Sequence, residues 1–185
     1  MVAGVPRLSD GVVTLDAFTG ADLDDHLAGE DDELARRFGW YPQRSTLESV
    51  RAAFERWAED WRTDGSTRAF AVRDASTGTL VGGFQLRLRE KRIGEISYWS
   101  NVGYRGRGFA TRATRLGCSF AFRELGIDRI EAYVEPDNVA SRRVAESAGF
   151  REEGLVRARE LTMHGERRDM VLYGLLPADF DAHSE

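Results

Sequence analysis

A cluster of glycine and arginine residues stands just before a long apolar stretch of this sequence. Residues 101–111 read N-V-G-Y-R-G-R-G-F-A-T, with three glycines and two arginines. Glycine lets the backbone approach a ligand closely, and the first N–H groups of a helix are free to bind an anion. The segment therefore predicts a phosphate-binding turn at the start of a helix.

Two common phosphate-binding motifs do not fit this turn. A dinucleotide fingerprint needs G-x-G-x-x-G or a final alanine, but after Gly106 and Gly108 the third place falls on Thr111. A Walker loop needs Gly-Lys followed by Ser or Thr, and the sole lysine of the chain is Lys91. Dinucleotide oxidoreduction and nucleotide hydrolysis are therefore disfavoured.

The hydrophobic periodicity predicts the elements that position the turn. Ser45 and Glu48 have capping-box spacing and predict the start of a strongly amphipathic helix. The other predicted elements follow the apolar pattern and the turn residues. They are strands at 12–18, 68–73, 80–88, 93–99, 129–134, 150–156 and 169–176, and helices at 21–27, 31–38, 108–125 and 138–148.

Composition limits the class of protein. With 185 residues, 42% hydrophobic and 31% charged, the chain is predicted to be one α/β domain over 1–185, with its core at about 8–178. A net charge of −5 disfavours nucleic-acid binding. No apolar run could span a membrane, and residues 1–10 do not resemble a signal peptide. The sequence thus predicts a cytoplasmic protein.

Metal binding and a structural disulfide are not expected. Cys118 is the only cysteine, and a buried thiol is the favoured interpretation. The three histidines, His26, His164 and His183, lack metal-ligand spacing. Residues 1–40 carry nine acidic residues against three arginines, which mildly favours a cationic substrate, although solvated surface is the simpler explanation.

Several motifs, in order along the chain, resemble one family. Arg105-Gly-Arg-Gly-Phe-Ala110 is similar to the Q/R-x-x-G-x-G/A signature of the GNAT N-acetyltransferase superfamily. Asn138-Val-Ala-Ser141, followed by E-S-A-G-F at 146–150, resembles the N-x-x-S…E-K-x-G-F pattern of its RimJ/RimL-like branch, with Ser147 in place of the lysine. The resemblance covers roughly residues 8–178.

The resemblance implies a fold and a co-substrate. The fold is a six- or seven-stranded, mostly antiparallel sheet that splays between its fourth and fifth strands and is flanked by four to five helices. The co-substrate is acetyl-CoA, whose pantetheine arm lies in the splay, and no metal is involved. The residues implied to hold it are Trp99, Ser100, Val102, Arg105, Gly106, Arg107, Gly108, Phe109, Ala110, Thr111, Asn138 and Ser141.

The resemblance also implies direct acetyl transfer to a primary amine in a ternary complex. A carboxylate near the splay would receive the amine proton; Glu95 ranks first and Glu131 second, although Glu95 could instead simply pair with an arginine. Many members use a tyrosine to protonate the thiolate, but Ala145 stands there, so Ser141 is the substitute. Because that tyrosine is missing, a non-catalytic CoA-binding regulatory domain is the alternative.

The acceptor is implied to be a protein N-terminus or a small-molecule amine. The candidate acceptor-site residues are Trp40, Tyr41, Trp99, Glu131 and Met163. Core packing explains Trp40 and Tyr41 equally well. Partners among nucleic acids and membranes are not expected, and homodimerisation is left open because dimers are common in the family.

Overall fold

The computed structural model describes residues 4–182 and contains one eight-stranded sheet within them. The strands are β1 (Leu8–Ser9), β2 (Val13–Asp16), β3 (Thr67–Asp74), β4 (Leu80–Arg89), β5 (Ile93–Ser100), β6 (Arg129–Val134), β7 (Arg151–Leu161) and β8 (Arg167–Leu175). The α-helices are α1 (Leu23–Gly29), α2 (Asp32–Arg37), α3 (Leu47–Arg62), α4 (Phe109–Arg123), α5 (Val139–Ser147) and α6 (Pro177–Ala182). No helix in this described part of the chain is long and apolar enough to cross a membrane.

The sheet splays between β5 and β6, as expected. The strand order is β1-β2-β3-β4-β5-β6-β8-β7, and β5 and β6 form the parallel pair of an otherwise antiparallel sheet. Their pairing runs from Ile93 opposite Arg129 to Ile96 opposite Ala132. Both strands continue beyond that point without pairing to each other. A gap with exposed backbone edges therefore opens at the end of β5.

The strand and helix counts differ slightly from the prediction. The sheet has eight strands rather than six or seven, because the two-residue strand β1 pairs with β2. Such a short pairing leaves no hydrophobic alternation in the sequence from which it could be read. The described chain also has six α-helices rather than four or five, since α6 follows β8 and buries Phe180 in the core.

The two faces of the sheet carry different helices. On one face α4 and α5 cover the main core, which includes Phe84, Ile130 and Tyr173. On the other face α1 and α3 pack on a smaller aromatic cluster that includes Phe18, Phe54 and Trp99. Since successive residues of β5 alternate between faces, this strand serves both layers.

The helix start predicted at Ser45 is wrong by one residue. Thr46 caps α3 by accepting a hydrogen bond from the Ser49 N–H at 3.1 Å, and the Ser49 hydroxyl receives the Thr46 N–H at 2.9 Å. The Ser45 N–H instead donates to Glu30 at 3.0 Å. Because that tertiary contact engages Ser45, the cap shifts to the next hydroxyl residue.

Candidate active site

The glycine-rich turn has the geometry of an anion cradle. Gly106 and Gly108 have φ values of 74° and 80°, in the left-handed region, where glycine is favoured because it lacks Cβ. A Cβ on either residue would meet nothing within 4 Å, so the space beside them is open. Within the described chain no side chain caps α4 at Gly108. The first N–H groups of α4 are therefore available to a negative ligand.

Side chains around the turn leave this backbone accessible. Phe109 packs into the core against Tyr104, at a centroid separation of 6.1 Å, and so offers the turn only its N–H group. Arg107 lies over the Tyr104 ring at 5.3 Å, and Val102 is half-exposed in a short 3-10 turn. An open groove of about 630 Å³ continues from Gly108 past Thr111 along α4.

Helix α2 bridges the two sides of the gap between β5 and β6 through ion pairs. At its start Asp31 accepts two hydrogen bonds from Arg105, at 2.6 and 2.8 Å. These bonds hold the pKa of Asp31 below its ordinary value. At its end Arg37 pairs with Glu135 and, at 2.5 Å, with Asp137. Helix α2 is thus tied both to the glycine-rich turn and to the loop after β6.

The gap between β5 and β6 contains a pair of hydroxyl groups. The Tyr98 hydroxyl donates to the carbonyl oxygen of Ser141 at 3.0 Å and lies 3.0 Å from Ser141 Oγ. Burial raises the pKa of Tyr98 to about 12, the contact with Ser141 opposing this only in part. Both residues line a small cavity of about 110 Å³, the gap cavity, together with Ser97 and Asn138. A protonated hydroxyl network therefore stands where the sheet opens.

Asn138 holds the start of α5 in this cavity. Its side-chain oxygen accepts the Ser141 N–H at 3.1 Å, so the residue is a helix cap. Its amide group carries further donors, and the residue lines the gap cavity. Capping and contact with a ligand in the gap are therefore compatible.

The two candidate carboxylates lie side by side in the paired part of β5 and β6. Glu95 is directly opposite Glu131. Glu95 contacts three arginines, which are Arg87 at 3.4 Å, Arg89 at 3.0 Å and Arg159 at 3.2 Å. Glu131 accepts hydrogen bonds from Arg129 at 2.8 Å and Tyr133 at 3.0 Å. Both carboxylates are thus embedded in a polar network, and their catalytic roles stay predictions.

A larger cavity of about 520 Å³ opens on the α1–α3 face, and we call it the aromatic cavity. Its ring-bearing lining residues are His26, Phe38, Trp40, Trp57 and Trp99, and its other lining residues include Glu30, Arg44, Arg56, Gln85 and Arg87. Phe38 lines the gap cavity as well, so the two cavities are neighbours. The Phe38 ring therefore separates the aromatic cavity from the gap cavity.

Trp99 forms the floor of the aromatic cavity. It is only 9% exposed, and its indole stacks with the Phe18 ring at a centroid distance of 6.0 Å. The ring lies across Gly83 of β4, where a Cβ would come within 3.0 Å of three indole atoms. Glycine at this position therefore makes room for the tryptophan.

His26 lines the aromatic cavity, a position that its place in the sequence does not indicate. Its ring makes edge-to-face contacts with Phe54 and Trp99, and its buried Nδ1 has no hydrogen-bond partner in the described chain. Burial lowers the pKa of His26, with Glu30 and Asp22 opposing that effect. The imidazole is therefore neutral at pH 7 and could accept a proton.

The remaining acceptor-site candidates occupy different positions. Trp40 lines the aromatic cavity, whereas Tyr41 and Met163 are exposed and are not among its lining residues. The two segments meet: the ring Nε2 of His164 lies 2.9 Å from the Tyr41 carbonyl oxygen. The hairpin loop thus supports the segment that carries Trp40. The roles of these residues in binding an acceptor stay predictions.

The acidic N-terminal segment is largely paired with arginines. Asp10 pairs with Arg112 and Asp32 with Arg44, at 2.8 and 2.7 Å. Arg73 contacts both Asp16 and Asp22 at 2.7 and 2.6 Å. Because internal partners balance these charges, the acidic composition does not by itself favour a cationic substrate.

No metal centre is formed by the described side chains, in which no three His, Cys, Asp or Glu residues are grouped to hold an ion. This finding carries no conclusion about the reaction. The expectation that no metal is involved stays a prediction.

The chain is similar to known proteins in sequence. Residues 13–151 match the family model described as an acetyltransferase (GNAT) domain. A Bacillus subtilis protein named "Probable N-acetyltransferase YjcK" is 33% identical over 137 residues, which is 72% of this chain and 75% of that protein.

Solved structures share the fold along almost the whole chain. Mycobacterium smegmatis RimJ, in complex with CoA-disulfide, superposes with a TM-score of 0.78 and 26% identity, covering 95% of this chain and 88% of that one. Spermidine N-acetyltransferase from Vibrio cholerae, in complex with CoA and spermine, gives a TM-score of 0.75 at 21% identity, covering 92% of this chain and 99% of that chain. The latter likeness shows the fold alone.

Proposed function

The chain belongs to the GNAT acetyltransferase family, in its RimJ/RimL-like branch, and is an acetyl-CoA-dependent acyltransferase. From that premise we propose that it moves an acetyl group to a primary amine of a small molecule or a protein N-terminus, by direct attack in a ternary complex. The observation that carries the proposal is the gap between β5 and β6, which opens where β5 runs on into the uncapped glycine-rich turn and whose cavity shares Phe38 with the aromatic cavity.

The residues around the gap suit coenzyme A. Open space beside Gly106 and Gly108 and the free N–H groups at the start of α4 suit a pyrophosphate. The backbone of Trp99, Ser100 and Val102 would follow the pantetheine arm in the manner of an added strand. The turn residues implied to join them are Arg105, Arg107, Phe109, Ala110 and Thr111, with Asn138 and Ser141 on the opposite side. When bound, the coenzyme supplies the acetyl thioester.

The hydroxyl pair in the gap supports a proton-donating role. Ser141 Oγ and the Tyr98 hydroxyl are 3.0 Å apart, and Tyr98, with its raised pKa, stays protonated at neutral pH. Many family members have a tyrosine where this chain has Ala145. In our proposal the Tyr98 hydroxyl takes the role of that tyrosine, and Ser141 holds the hydroxyl in place. The pair then donates the proton that the departing sulfur requires.

Glu95 is our proposed acceptor of the amine proton, acting through water. Three arginines keep its carboxylate in one position, on the same face of β5 as Trp99, since residues four apart on a strand share a face. Glu131 is the second candidate. The neutral His26 imidazole is a third, favoured by its place in the aromatic cavity.

Thiol release with a panel of amines tests the proposal. With acetyl-CoA and a usable amine we expect intersecting initial-velocity patterns, which indicate a ternary complex. Ser141→Ala and Glu95→Gln should each lower kcat, and for Glu95→Gln the coenzyme affinity, measured by calorimetry, should change little. Glu124→Gln, at an exposed position, is the control and should behave like the parent. Failure to bind CoA would refute the proposal.

Three further points complete the proposal. We treat residues 1–185 as one acetyltransferase domain, with its core at about 8–178. A cytoplasmic location and a homodimeric state are also proposed. Gel filtration with light scattering tests the last of these.

A further inference from the structure

The aromatic cavity has features that limit the kind of amine it can bind. Four of its rings, Phe38, Trp40, Trp57 and Trp99, surround a space of about 520 Å³. Phe38 stacks on Trp40 with centroids 5.1 Å apart and meets Trp99 edge-on at 6.3 Å. Flat, rigid walls of this kind favour a ligand with an apolar, planar part, because contact with the ring faces stabilises it.

One buried amide in the wall has no internal partner. Gln85 on β4 is 9% exposed, lines the cavity and makes no side-chain hydrogen bond to any described residue. It lies opposite Ser97 of β5, two residues from Trp99, so its side chain shares the cavity face with the indole. A carboxamide has two donor hydrogens and an acceptor oxygen, and those of Gln85 stay open to the cavity and free to pair with a ligand. A ligand carboxamide would satisfy both kinds of group.

The charges around the cavity disfavour a polycation. Glu30 is the one carboxylate among the described lining residues, and one of its oxygens already accepts the Ser45 N–H at 3.0 Å. Three arginines, Arg44, Arg56 and Arg87, line the same space. Arg44 and Arg87 are paired with Asp32 and Glu95, so a molecule with several ammonium groups would find Glu30 as the single carboxylate among the described lining residues.

We propose that the aromatic cavity accepts an amine that has a single positive charge, an aromatic body and a neighbouring carboxamide, and that Gln85 pairs with that carboxamide. An aromatic amino-acid amide and the first residue of a peptide with an aromatic N-terminus share this chemistry. The inference rests on the proposed function, because it names the acceptor class of the same site.

Matched acceptors test the inference. At saturating acetyl-CoA, phenylalanine amide is compared with phenethylamine, which lacks the carboxamide, with alanine amide, which lacks the ring, and with spermidine. We expect phenylalanine amide to exceed each of the others in kcat/KM by about tenfold or more. A higher kcat/KM for spermidine or alanine amide overturns the inference but leaves the proposed acetyl transfer intact. No thiol release with any amine overturns both.

A peptide arm separates the two sources of this chemistry. The tripeptide amide Phe-Gly-Gly-NH₂ carries the same first residue, with a peptide amide that has one N–H group in place of the primary carboxamide. Turnover of either acceptor supports the inference, and the ratio of their kcat/KM values distinguishes a free amide from a peptide N-terminus. Failure of both while phenethylamine is acetylated contradicts it.

Substitution of Gln85 separates recognition from folding. Gln85→Leu should lower the kcat/KM for phenylalanine amide about tenfold more than the kcat/KM for phenethylamine. A merely structural role would lower both values together, which would overturn the role of Gln85. Gln43→Leu, at an exposed position on the rim, is the matched control and should leave the preference unchanged.

A binding measurement completes the test without turnover. Three tryptophans line the cavity, so their fluorescence should change when N-acetylphenylalanine amide is titrated into the free protein. We expect saturable quenching that Gln85→Leu weakens about tenfold. Equal affinity of parent and Gln85→Leu would contradict the pairing.

Discussion

Gly83→Ala should destabilise the protein by displacing the floor of the aromatic cavity. A Cβ at this position would clash with Cζ2 and Cη2 of Trp99 and would lie 2.6 Å from Cε2, the most distant of the three, so the indole must retreat by more than 0.8 Å to reach ordinary contact at 3.4 Å. The ring is confined by His26, Phe18 and Trp57, with centroids 5.7 to 6.1 Å away. Overpacking of this kind costs about 1–3 kcal/mol.

Thermal unfolding followed by circular dichroism measures this loss. For a chain of this length about 2 kcal/mol corresponds to a Tm lower by about 4–8 °C. The KM for the amine should rise as well, since Trp99 lines the acceptor cavity, while affinity for CoA changes little. Gly20→Ala is the control, because a Cβ there meets nothing within 4 Å. A Gly83→Ala variant that melts with the parent would refute the packing of Trp99 on Gly83.

Three other substitutions give distinct results. Tyr98→Phe should lower kcat by about tenfold with little change in amine KM, because it removes one hydroxyl of the proton-donating pair; unchanged kcat would exclude that role. Because burial lowers the pKa of His26 below its ordinary 6.5, the unfolded chain binds this proton more readily, and stability should fall as the pH drops below about 6.5. Urea midpoints at pH 7.5 and 5.5 should show that His26→Phe lacks this part of the loss, and identical pH dependence would contradict it. Gly108→Ala, at φ 80° with open space for its Cβ, should cost about 1 kcal/mol through backbone strain alone and weaken CoA binding in calorimetry; an unaltered affinity would count against the cradle.

Local signals explain the elements that the sequence predicts well. The strand predicted at 129–134 has the same bounds as β6. The helix predicted at 138–148 contains α5, because Asn138 caps that helix and Gly149, at φ 101°, follows its end. The glycine-rich turn is likewise predictable, because its conformation depends on Gly106 and Gly108 themselves. The final hairpin is longer than the 150–156 and 169–176 predictions, with a register shift between Val156 and Glu160.

The parts that depend on tertiary contacts are not predictable in this way. Tyr98 reads as an ordinary strand residue until α5 brings Ser141 beside it. Gln85 and His26 likewise become cavity residues only because β4 lies next to β5 and α1 packs on the same face. The capping box predicted at Ser45 does not form, because the Ser45 N–H donates instead to Glu30, fifteen residues away in sequence.

Helix α2 connects the glycine-rich turn with the segment that borders both cavities, and this has a consequence for the proposed donor and acceptor sites. Asp31 at its start holds Arg105 of the glycine-rich turn, while Phe38 directly after it borders both cavities. A phosphate that binds Arg105 would compete with Asp31 for this guanidinium group. Loss of the Asp31–Arg105 pair would then loosen the start of α2 and could move Phe38, which directly follows the helix. Thermodynamic linkage then requires the amine to change the affinity for coenzyme by the same factor as coenzyme changes the affinity for the amine. If the proposed sites are correct, the six residues of α2 would couple donor binding to acceptor binding.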